Sequence, residues 1–162
     1  MLGGVMFNNL SQDEIVRRFI DSQEKSINFF INTSKPVIDI DYSIYRYYES
    51  DLKDYPRLES RGIDGEVEDI ILAKEQVSLD LYKRAFEIGT EEKLKILGKL
   101  YGYPESAVDY FVNENVQGER YLVNYYGLSF VSSRKGLDKV KEELKEMYGL
   151  EFESEHVSIQ DF

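Results

Sequence analysis

The spacing of apolar residues changes along this chain, and those changes limit the folds open to it. Over 10–31, LSQDEIVRRFIDSQEKSINFFI, the residues Ile15, Phe19, Ile20, Ile27, Phe30 and Ile31 recur at helical spacing. Ser11 stands three residues before Glu14, as in a capping box, so a helix is predicted here, ended by Lys35-Pro36. Over 36–48 the period falls to two: Ile38, Ile40 and Tyr42 alternate with Asp39 and Asp41, which predicts a strand with one wet face. Segment 49–66 is charged and broken by Pro56, Gly62 and Gly65, and reads as the longest loop. From Glu66 to Ile88 apolar residues occupy almost every side, with Val67, Ile70, Ile71, Val77, Leu81 and Ala85 at their head. Such a pattern suits a long central helix.

Gly89 and Thr90 then open a helix whose stripe is Leu94, Leu97, Leu100 and Tyr101. Pro104 fits the first turn of the next, with Val108, Phe111 and Val112 facing inward. After Gly118, segment 119–133 reads as two strands about a Tyr126-Gly127 turn. An amphipathic helix over 136–149, closed by Gly149, and a last strand over 150–159 complete the chain. The order is helix, strand, three helices, then strand-strand-helix-strand. It predicts an α+β, mostly helical single domain over 1–162 with a small mixed sheet. The helical part covers about 10–115 and the strand-strand-helix-strand part about 119–159. A chain of 162 residues is long enough to bury such a core.

Function classes are narrowed by what the chain lacks. It has no cysteine, so disulfides, thiol nucleophiles and zinc–thiolate sites are excluded. No apolar run approaches the roughly 20 residues of a membrane span. The start, MLGGVMFNNL, has no basic n-region and reads as a loose lead-in rather than a secretory signal. A cytoplasmic protein is the expectation. Thirty-one acids against 20 bases give a net charge of −11, which opposes phosphate backbones and anionic membranes.

The turn Gly102, Tyr103, Pro104 and Glu105 joins two predicted helices, as in a DNA-reading helix-turn-helix. The residues then free to face DNA are Glu105, Ser106, Asp109, Asn113 and Glu114, with no Lys or Arg between Lys99 and Arg120. Base and phosphate contacts call for the opposite chemistry, so the turn reads as a structural corner. The surrounding stretch 81–112, LYKRAFEIGTEEKLKILGKLYGYPESAVDYFV, resembles a conserved domain family of archaeal proteins of unassigned function. Members of that family often carry cysteines just after the motif, where Ser106 and Ala107 stand here. The resemblance implies an archaeal cytoplasmic protein and brings no reaction with it.

Three further features bear on chemistry. Asp39 and Asp41, two apart on a strand, project from one face and offer hard oxygen donors for a divalent metal such as Mg²⁺. The plainer reading of this pair is the solvent face of an edge strand. Lys74 falls in the most apolar predicted helix and His156 near the end of the chain, neither with a named catalytic partner. No glycine loop has a nucleotide-binding spacing. The run 42–55 holds Tyr42, Tyr45, Tyr47, Tyr48 and Tyr55 beside Arg46, the residue types of interface hot spots, or else rings closing the rim of the core. The expected function is therefore a protein-interaction or scaffold module that self-associates, with a second copy of the chain as partner and no cofactor. A metal-dependent enzyme acting on a phosphorylated small molecule is the alternative. A helix-turn-helix DNA binder, opposed by charge, comes third.

Overall fold

The computed structural model describes residues 11–113 and 119–161. The lead-in 1–10, Glu114 and Gly118 lie outside the described residues. Within them the chain is α+β, in the order α1 (Gln12–Asn32), β1 (Val37–Asp41), α2 (Tyr42–Tyr47), α3 (Glu49–Leu52), β2 (Arg57–Arg61), β3 (Val67–Ala73), α4 (Gln76–Ala85). There follow α5 (Thr90–Leu100), α6 (Glu105–Asn113), β4 (Arg120–Tyr125), β5 (Leu128–Ser133), α7 (Leu137–Tyr148) and β6 (Val157–Asp161). In place of the one mixed sheet expected, the strands form two antiparallel three-stranded sheets, β1-β3-β2 and β5-β4-β6.

The largest departure from the sequence reading lies at 66–88, which is no single helix. Its first half is β3, the central strand of the first sheet, and a bend at Lys74–Glu75 leads into α4. Ile70 and Leu72 face one apolar cluster with Ile27, Phe30, Ile38, Ile40 and Leu52. Ile71 and Ala73 face another with Val37, Leu79, Tyr82 and Leu100. A strand covered on both faces carries an unbroken apolar run, which periodicity alone does not separate from a buried helix. The predicted loop 49–66 likewise holds α3 and β2, and β2 pairs with β3 along its length.

The predicted strand 36–48 stops at Asp41. Its carboxylate accepts the Ser43 backbone N–H at 2.8 Å, capping α2 and turning the chain from strand to helix. At α1 both halves of the capping box form: Glu14 N–H donates to Ser11 Oγ at 3.3 Å, and Ser11 N–H donates to the Glu14 carboxylate at 3.1 Å.

The corner at Gly102 is built as its residues predict. Gly102 has φ +79°, its N–H donates to Lys99 O at 3.0 Å, and Tyr103 N–H donates to Gly98 O at 3.0 Å. These two bonds make a Schellman closure of α5, which needs a left-handed residue at Gly102. Pro104 O accepts from Ala107 and Val108 at the start of α6. Glu143 of α7 accepts the Ser106 N–H at 3.2 Å and so places a carboxylate at the positive end of the α6 dipole.

Helix α1 joins the two halves of the core. Ile27 and Phe30 belong to the cluster on the first sheet, while Phe29 enters the cluster on the second, 4.8 Å from the Tyr148 ring centre. The β4–β5 hairpin meets the same helix at its tip, where Ser26 Oγ donates to Gly127 O at 3.0 Å.

Candidate functional site

The predicted aspartate pair is only partly available. Register puts Asp39, Asp41 and Asp69 on one face of the first sheet, with Asp69 directly opposite Asp41. Asp69 was missed because 66–88 read as a helix. Asp41 is occupied by Ser43, whose N–H and hydroxyl both donate to it. Among the described residues, no three His, Asp or Glu side chains are grouped to hold a metal ion.

Asp39 keeps an exposed edge, yet protein around it removes enough water to push its carboxyl up to about 6, with a further push from Asp69. An acid whose pKa rises on folding favours the folded state at low pH, and that favour is lost as pH climbs through the folded value. Asp39→Asn should therefore stabilise the protein above pH 6, with the gain vanishing towards the ordinary carboxyl value of 3.8. Urea melts of both proteins across that interval check it. An equal gain at every pH would contradict the carboxyl's role.

The tyrosine-rich segment divides between core and surface. Tyr45 is 2% exposed and accepts from the Arg57 guanidinium at 2.7 Å, so it is a core ring and not part of an interaction surface. Tyr55 packs edge-on against Phe30 at 5.0 Å, and Tyr42 lies partly buried beside Tyr45. Tyr48 donates to the Glu24 carboxylate of α1. Of the six residues expected on the surface, only Arg46 and Tyr47 are exposed, Tyr47 at 86%. The reason is the switch from strand to helix at Asp41, which turns Ile44, Tyr45 and Tyr48 inward as a helical stripe.

The other singled-out residues also find their places. Lys74 donates to Ile31 O at 3.2 Å with its ammonium 4.5 Å above the Phe30 ring, which caps the end of α1. His156 is exposed and pairs with Glu155. In α6 the exposed positions are Glu105, Asp109, Phe111 and Asn113, two of them carboxylates and none basic.

Sequence reasoning missed two features. The first is the N-terminal half of α1. Its seam runs Val16, Ile20, Gln23, Ile27, Phe30, at alternating steps of four and three, and among the described residues it is covered only at its far end. Val16, Phe19 and Ile20 are 51%, 45% and 38% exposed. The signal was length: 21 residues of helix span about 30 Å, while a five-residue strand covers only about 17 Å. The second is Lys35, only 6% exposed, its stem against Gly102 and its amine without an ion-pair partner among the described residues. Burial lowers its pKa to about 8.

Two concavities accompany these features. An apolar groove of about 300 Å³ lies between α5, α6 and β5, lined by Leu97, Tyr103, Phe111 and Phe130. A polar cleft of about 690 Å³ lies between α1 and the second sheet, with Arg18, Lys25, Asn124 and His156 in its walls. Among the described residues no helix is long and apolar enough to cross a membrane. Compared with protein-family models, with curated proteins and with solved structures, the chain matches none.

Proposed function

We propose that the chain is an interaction module that pairs with a second copy of itself along the free half of α1. The uncovered seam of Val16, Phe19 and Ile20 carries this reading, because the same seam, two turns further on, is what the fold buries at Ile27 and Phe30. Charge favours a second copy at this place. Two bodies of net charge −11 repel, but segment 12–25 has four acids (Asp13, Glu14, Asp21, Glu24) against three bases (Arg17, Arg18, Lys25). It contributes one unit of the total, so like-charged copies meet there at least cost.

Full burial of such side chains contributes about 1.5–3 kcal/mol each, and about half of that remains to be gained here. Six of them in a twofold pair offer roughly 5–9 kcal/mol, set against an association cost of about 4 kcal/mol or more. At most about 5 kcal/mol is left, a Kd of about 0.2 mM or weaker, so the pairing is reversible and is best sought at about 1 mM. Sedimentation at that concentration should show a dimer for the wild type and a monomer for Ile20→Glu with unchanged circular dichroism. A wild type that stays monomeric, or an Ile20→Glu protein that still pairs, would refute the reading.

A further inference from the structure

The side of α1 opposite the apolar seam forms one wall of the polar cleft. Along this wall Arg18, Asp21 and Lys25 follow one another as cation, anion and cation. Seven residues separate the two cations, two helical turns, or about 10 Å along the axis. Neither Arg18 nor Lys25 forms an ion pair among the described residues, so their donors are unspent. The facing wall brings the Asn124 amide, the ring of Tyr126, held in place by its own hydroxyl donating to Glu151 O at 2.8 Å, and at its rim Glu155, whose carboxylate lies 3.5 Å from the His156 ring. The Asp21 carboxylate between the two cations excludes an anion from the middle of this wall.

We infer that this cleft binds a small polyol phosphorylated at both ends, such as a sugar bisphosphate. One phosphate sits at Arg18, which presents a planar fork of donors, and the other at Lys25. Hydroxyls between them donate to Asp21 and meet Asn124, and the apolar face of the sugar lies against Tyr126. A cleft of about 690 Å³ is of the size that small-molecule sites occupy. The site does not rest on self-association, because the seam residues lie on the other side of the helix.

Fructose 1,6-bisphosphate is a suitable probe, titrated calorimetrically into the wild type, with fructose 6-phosphate, fructose and inorganic phosphate alongside. The bisphosphate should bind saturably and at least about tenfold more tightly than either single-phosphate compound, with fructose silent. Arg18→Glu and Lys25→Glu, both at exposed positions, should each weaken it by about tenfold or more, while Lys99→Glu on α5 leaves it unchanged. Ile20→Glu should bind as the wild type does, which separates this site from the dimer. No saturable binding at about 1 mM overturns the inference. So does inorganic phosphate matching the bisphosphate, or Lys99→Glu weakening binding as much as Arg18→Glu.

Discussion

Gly127→Val is expected to destabilise the protein by about 3–5 kcal/mol, more than any other single glycine replacement at a turn. Two causes add. Gly127 has φ +99° and follows Tyr126 at φ +52°, the pair of left-handed residues that a two-residue hairpin of this kind requires. A side chain there strains the backbone by about 1–3 kcal/mol. The second cause is contact: a Cβ on Gly127 would stand 2.5 Å from the backbone carbon and oxygen of Lys25, and 2.9 Å from Ser26 N. These are backbone atoms in the middle of α1, so no rotamer change relieves the clash, and the hairpin must move away from the helix. That motion breaks the Ser26–Gly127 hydrogen bond and opens the packing of Phe29 on Tyr125. Gly65→Val offers the comparison, since its φ is +83° but nothing lies within 4 Å of its Cβ position. Urea denaturation of the two variants should separate strain from clash, and equal losses would mean that hairpin and helix are not in contact as described.

Lys35→Met should do the reverse and stabilise the protein, by on the order of 3 kcal/mol at neutral pH. Methionine keeps the stem that packs on Gly102 and removes an ammonium that has almost no water and, among the described residues, no carboxylate paired with it. The sign with pH follows from the lowered value. Folding disfavours the charged form, so the penalty is complete below the folded value of about 8 and fades as pH rises to the ordinary 10.5. Melts of wild type and Lys35→Met should thus differ most below pH 8 and converge towards pH 10.5. A variant less stable than the wild type at pH 7 would show that the amine has a partner in the folded protein.

The parts of this fold legible in the sequence are those signalled by local chemistry. Ser11 with Glu14, Gly102 before Tyr103-Pro104, Tyr126-Gly127 and Gly149 each specify a cap or turn through groups within a few residues, and each is found. What escaped was set by distant partners. Ile70 to Ala73 form a strand because β1 and β2 flank them, and nothing within the segment announces those neighbours. Asp41 looked like a ligand because alternation on a strand was extended past it, whereas its carboxylate ends the strand by capping α2. Tyr45 went to the core for the same reason. Lys35 carried no signal, since its burial depends on Gly102, 67 residues on, coming to rest against its stem. The seam of α1 was visible as a pattern, but whether a neighbour covers it was not.

Cross-linking through single cysteines probes that seam most directly, and the chain's lack of native cysteine gives a clean background. Cysteines are placed one at a time at Val16, Phe19 and Ile20 on the seam, and at Arg18 and Ser22 on the opposite side of the same two turns. All five positions are exposed, so reactivity towards a small thiol reagent should be similar and disulfide capture will report proximity between copies. Under mild oxidation at about 1 mM, a concentration suited to weak pairing, the seam positions should give disulfide-linked dimers and the other two should not. Equal yields from both sides, or no dimer from any seam position, would contradict self-association through α1.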